Sequence, residues 1–118
     1  MSNNVKILII GSGFMTENYL KVISSNNHEC IVVGRGKRNT KRLSKIYSNI
    51  KFYSGGIENF LKNNSIKKFT HFFNLVNIEY CLSITKLLLQ KGAKNILVEK
   101  PGALNINDLI SLKSSVEK

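Results

Sequence analysis

A doubly wound parallel α/β sheet, five strands in the order 3-2-1-4-5 with helices on both faces, is what the 118-residue sequence predicts, and three observations carry the prediction. A nearly unbroken apolar run from Val5 to Ile10 stops at Gly11-Ser12-Gly13 and gives way to helical spacing. Four further apolar runs of strand length alternate with stretches whose apolar residues recur every three to four positions. The connections between them are short, and no internal repeat, long linker or low-complexity tract interrupts the series.

Taken in order, Val5 to Ile10 shows no period-2 alternation apart from Lys6, as expected of a parallel strand buried on both faces in mid-sheet. Phe14 to Ser25 reads as a helix whose apolar face is Met15, Tyr19, Leu20, Val22 and Ile23. Glu29 to Val33 is a second strand, followed by a loop in which Gly34 and Gly36 flank Arg35. Asn39 or Thr40 can cap a short helix through Tyr47, with Leu43, Ile46 and Tyr47 inward. Ile50 to Tyr53 is the third strand, and Ser54-Gly55-Gly56 turns the chain into a short helix at Ile57 to Leu61. Thr70 to Leu75 is the fourth strand, and Glu79 to Gln90 a helix with Gly92 at its C-terminal cap. Ile96 to Val98 is the fifth strand; Asn105 can then cap a last helix with Ile106, Leu109, Ile110 and Val116 inward.

Composition narrows the class. The apolar fraction of 42% with no run near the roughly 20 residues of a membrane span predicts a soluble, globular single domain without a membrane partner. MSNNVK leads straight into the first strand without a signal sequence, so the expected compartment is the cytoplasm, with Cys30 and Cys81 as unpaired core thiols. Two Cys and two His without ligand spacing predict no metal site. Eighteen Lys and Arg against seven acids give +11, and six of the eleven positions from Arg35 to Lys45 are basic. That patch suits an anionic ligand. Nucleic acid is disfavoured, because Tyr47 is the one aromatic residue close to it.

In a doubly wound sheet the ligand lies outside the carboxyl ends of the strands, at the switch in strand order. Gly11 to Met15, Gly34 to Arg38, Val76 to Ile78 and Glu99 to Pro101 all fall at that edge. Gly11 and Gly13 have the spacing of a dinucleotide turn, in which Gly11 permits the sharp bend and Gly13 lets backbone N–H groups approach a pyrophosphate. Thr16 stands where the fingerprint has a third glycine, which serves close helix-to-strand packing, so a small Thr there loosens the match to the fingerprint without blocking phosphate. Ser12, Phe14 and Met15 complete the expected pyrophosphate cradle, and Val76 and Asn77 are expected beside the nicotinamide ribose. NAD-binding forms place an acid about 20 residues past the turn, on the ribose 2′-OH. Here that place holds Gly34 and Arg35, and no acid occurs between Glu29 and Glu58. Arg35 and Arg38 can instead pair with a 2′-phosphate, so the predicted cofactor is NADP in preference to NAD. His28 and His71 fall at the opposite ends of their strands and are expected to be structural or exposed rather than catalytic.

ILVEKPGAL, following GSGFMTENY at this distance, resembles the Gfo/Idh/MocA oxidoreductases, the family of glucose-fructose oxidoreductase and inositol dehydrogenase. Met15 and Tyr19 fall in register with that family's first turn, and Glu99-Lys100-Pro101 matches its EKP tripeptide. The resemblance implies a Rossmann dinucleotide-binding domain over residues 1–118. It also implies hydride transfer to or from a sugar, cyclitol or similar small polyol or carbonyl compound. The catalytic role of the EKP lysine, at the reacting hydroxyl, falls on Lys100, and Glu99 lies beside the cofactor. Val76-Asn77 and Cys81 replace the family's usual Thr-Pro and the His that follows, and Cys81 cannot act as an imidazole donor.

Family enzymes carry a second α/β domain that supplies the substrate pocket and the oligomer contacts. The expectation for this chain is the NADP-binding half alone, cut from a longer protein or completed by another chain. A small-molecule substrate would then be taken only together with that missing part. An exposed apolar flank near the last helix, with self-association into a homo-oligomer, is expected for the same reason. The alternative is a non-catalytic NADP-binding sensor or assembly subunit.

Overall fold

The computed structural model describes residues 5–26 and 28–98. The elements alternate as β1 (Lys6–Ile10), α1 (Phe14–Ser25), β2 (Glu29–Val33), α2 (Lys37–Ile46), β3 (Lys51–Tyr53), α3 (Gly56–Asn63), β4 (His71–Asn74), α4 (Ile78–Gln90) and β5 (Ile96–Val98), with a single 3-10 turn at Ile66–Lys68 before β4. All strand pairs are parallel, and the sheet runs β3-β2-β1-β4-β5 as the sequence predicts. Glu99, Lys100 and the helix expected from Asn105, with its apolar flank, lie outside the described residues.

β1 is the axis. Its residues divide between two cores: Leu8 and Ile10 pack with Ile57, Phe60, Ile84 and Leu88 beneath α3 and α4, whereas Ile7 and Ile9 pack with Leu20, Ile23 and Leu43 beneath α1 and α2. Each such side chain contributes about 1.5–3 kcal/mol on burial, which is why this run carries no alternation. Its neighbours are β2 and β4, and the order of the strands reverses in the gap between β1 and β4.

Helix faces depart from the expected ones in two places. In α1 the buried stripe is Thr16, Leu20 and Ile23, and Val22 is 60% exposed. Thr16 takes the inward place because its Oγ1 donates to the Gly11 carbonyl at 2.7 Å, which ties the first turn of the helix to the glycine bend. In α2 the helix begins at Lys37, with Gly36 in the N-cap position and no side-chain cap, and neither Asn39 nor Thr40 caps it. Thr40 is buried and bonds back to the Gly36 and Lys37 carbonyls at 3.1 Å, which turns Leu43 inward and leaves Ile46 58% exposed.

Candidate dinucleotide cleft

Hydrogen bonding at the carboxyl edge runs on past the strand ends and pins the loops there. Gly11 donates to the Val33 carbonyl and Gly34 to that of Tyr53, both at 2.8 Å, and Leu75 donates to Ile10 at 2.9 Å. Gly55 and Gly56, each at positive φ, donate back to the Arg35 and Gly34 carbonyls at 3.1 and 3.0 Å. Asn74 fixes the remaining wall: fully buried at the end of β4, it donates through Nδ2 to Thr85 Oγ1 at 2.8 Å and to the Cys81 carbonyl at 3.1 Å. The first turn of α4 is thereby tied to the strand beside it.

These loops frame a cleft of about 730 Å³. Its floor is apolar (Ile10, Val33, Leu75, Ile84), and its rim carries Gly11 to Gly13, Gly34 to Gly36, Gly55, Gly56, Val76, Asn77 and Tyr80. Gly11 has φ +117°, and a Cβ there would lie 2.8 Å from the Leu75 carbonyl oxygen. No larger residue fits that bend. Above Gly13 the position is reversed, because a Cβ would meet nothing within 4 Å. Gly13 is also the N-cap of α1 and brings no side-chain hydrogen bond, so the first N–H groups of the helix have no side-chain cap. An anion such as a pyrophosphate fits there on geometry and on charge.

The sequence-predicted residues are distributed as follows. Gly11, Ser12, Gly13, Gly34, Arg35, Val76 and Asn77 all line the one cleft. Phe14 and Met15 are not among the residues that line it: Phe14 is 78% exposed, and Met15 lines an apolar groove along α1. Arg38 is separated from Arg35. It lines a smaller polar niche between the glycine turn and the N-terminus of α2, with Ser12, Gly36, Asn39 and Arg42. Arg35 instead reaches across the main cleft, its guanidinium carbon 4.4 Å from the centre of the Tyr80 ring. Glu99 and Lys100 lie outside the described residues.

Three groups in or near the cleft were not singled out from the sequence. Tyr80 comes to the rim from the first turn of α4, and Glu58 and Lys62 line the cleft from α3. Nothing in local periodicity marks them, since only the sheet order brings α3 and α4 to the β2 loop. The thiols take no part in the rim: Cys30 and Cys81 are buried and unpaired. Burial pushes the Cys30 thiol up to about 12 and raises that of Cys81 as well, which keeps both neutral.

Electrostatics at the phosphate end turn on one pair. Glu17, in the first turn of α1, receives both guanidinium nitrogens of Arg42 at 3.1 Å. That hydrogen bond holds the Glu17 carboxyl below the usual carboxylate range and neutralises an acid that would otherwise oppose an anion at Gly13. Among the described residues no helix is long and apolar enough to cross a membrane.

Solved structures share this architecture at low sequence identity. An oxidoreductase from Agrobacterium radiobacter, solved with NAD+, L-tartaric acid and magnesium, superposes with a TM-score of 0.83 at 14% identity, over 98% of this chain and 33% of that one. A Gfo/Idh/MocA family oxidoreductase from Vibrio cholerae gives 0.81 at 18% identity, over 96% and 35%. The fold is shared with Gfo/Idh/MocA oxidoreductases. A 3-ketoreductase from Actinomadura kijaniata, solved with NADP and a TDP derivative, gives 0.77 at 14% identity, over 98% and 34%. This chain therefore spans about a third of the length of the solved structures it matches. No family model matches the sequence, and no curated protein does.

Proposed function

We propose that this chain is the NADP(H)-binding Rossmann part of a Gfo/Idh/MocA-type oxidoreductase. The observation that carries the reading is the convergence of four loops on one cleft, with an uncapped helix N-terminus over open space at Gly13. Bound dinucleotide supplies hydride transfer at its nicotinamide ring. The residues of this chain bind and orient it: Ser12, Gly13 and the N–H groups of Phe14 and Met15 hold the pyrophosphate, and Val76 and Asn77 flank the nicotinamide ribose. Lys100 is assigned the proton at the reacting hydroxyl, with Glu99 beside it, by the EKP resemblance. The substrate class, a sugar, cyclitol or small carbonyl compound, rests on that same resemblance. Its pocket needs chain beyond this domain, since positioning both reactants is what makes hydride transfer fast.

NADP is favoured over NAD by two features of the β2 loop. Gly34 stands where an acid would hold the ribose 2′-OH, and Ser12 and Thr40 fill the space a side chain there would take: a Cβ would lie 2.5 Å from Ser12 Oγ and 2.7 Å from Thr40 Cγ2. Beside it, Arg38 and the uncapped N-terminus of α2 border a polar niche with no acid in the first helical turn. A 2′-phosphate is the group that niche suits. Calorimetric titration of NADPH and NADH at low and moderate salt tests the assignment. NADPH is expected to bind at least about tenfold tighter, since hydrogen bonds to charged groups contribute about 1.5–3 kcal/mol. Tighter NADH would shift the adenosine ribose to Glu58, and binding of neither would reduce the glycine turn to architecture.

A further inference from the structure

The pairing of Arg35 with Tyr80 goes beyond the cofactor assignment, although it rests on it. We propose that Tyr80 is the stacking platform for the adenine ring and that Arg35, which covers it in this structure, swings out and closes over the other face of the base. Both residues line the one cleft, and its floor between them is apolar, which suits a flat heterocycle. Tyr80 is 40% exposed, so its ring stands clear of the core. Its backbone is fixed twice over: the Tyr80 N–H donates to the Asn77 carbonyl at 2.9 Å, and its carbonyl accepts from Ser83 Oγ at 3.1 Å.

The main chain of Arg35 is anchored through its carbonyl, which accepts the Gly55 N–H at 3.1 Å. Its guanidinium has no acidic partner among the described residues, where the ion pairs are Lys6 with Glu29 and Arg42 with Glu17. Among the described residues the side chain is thus held by its contact with the Tyr80 ring and by no ion pair, while the loop that carries it is pinned by backbone hydrogen bonds. At 4.4 Å from the ring centre it leaves no room for a base. Insertion needs a separation of about 7 Å, two contact gaps of about 3.5 Å, which rotation of one unpaired arginine side chain supplies. Arg35 then exchanges one π face for another and keeps a cation–π contact in both states. Arg38, in its separate niche, is left to the phosphate on the same ribose.

The test titrates the whole chain and its Tyr80→Ala and Tyr80→Phe variants with NADPH and with adenosine 2′,5′-bisphosphate, which has the adenine half without nicotinamide. Melting temperature and far-ultraviolet circular dichroism confirm that the variants fold. The expected result is that Tyr80→Ala weakens both ligands by the same factor, at least about fivefold, as loss of a base–aromatic stack does. Tyr80→Phe, which keeps the ring, retains wild-type affinity within about twofold. Equal or tighter binding by Tyr80→Ala, or a loss confined to NADPH, overturns the platform while leaving the cofactor site standing. Failure of the wild-type chain to bind either ligand overturns both.

Discussion

At the scale of single residues, Gly34 decides more than its size suggests. A side chain there would collide with Ser12 in the phosphate turn and with Thr40 in α2, so this position locks two loops together by having no Cβ. Gly34→Asp, the substitution that would imitate an NAD site, is therefore expected to destabilise the protein by about 1–3 kcal/mol, as overpacking does. It is also expected to weaken NADPH without a gain in NADH. Chemical denaturation together with both titrations reads this out, and a gain in NADH affinity would contradict it. Residues of this kind were partly legible in the sequence. Gly11 and Gly13 announce themselves by spacing after a buried strand, and Arg35 by standing where an acid is usual. Arg35 and Arg38 read as one phosphate clamp, because three positions in a loop look adjacent. The corner at Gly36, where strand leaves for helix, sends them to different cavities. Tyr80 gave no signal, since its partner lies 45 positions away and only the fold makes them neighbours.

At the scale of elements, α1 and α2 are joined at the phosphate end by Glu17 and Arg42 as well as by their shared core. The Glu17 carboxyl is lowered in the folded protein, chiefly by its hydrogen bond to Arg42. Its contribution to stability is thus present above the ordinary carboxylate range and is lost as pH falls through the lowered folded value. Melting temperatures measured from neutral to acidic pH should show a steeper acid loss for the wild type than for Glu17→Gln, and parallel curves would remove the pair from the account. Element boundaries were most legible where periodicity is strong: α1, β2 and β5 run over the residues their patterns predict. The start of α2 was not, because a glycine cap carries no side-chain signature. The 3-10 turn at Ile66–Lys68 escaped for a related reason, being three residues long with only Ser65 to mark it. Val22 and Ile46 looked inward because apolar character was read as burial. Thr16 and Thr40 take the inward places instead, through hydroxyls that bond backbone carbonyls.

At the scale of the whole molecule, the five-strand parallel order follows from one buried strand that needs cover on both faces, and that order sets the cleft at the reversal beside it. The formal charge of +11 favours any polyanion. Binding strength alone therefore does not separate a dinucleotide seated in the cleft from an anion held loosely on the basic patch. Position separates them. Backbone amide shifts of the nitrogen-15-labelled chain should be mapped during titration with NADPH. The account predicts saturable changes concentrated at Ser12 to Met15, Arg35, Gly36, Gly55, Gly56 and Val76 to Tyr80, persisting at moderate salt. Changes spread along α2 that vanish with salt, or changes at the opposite edge around His28 and His71, would contradict it.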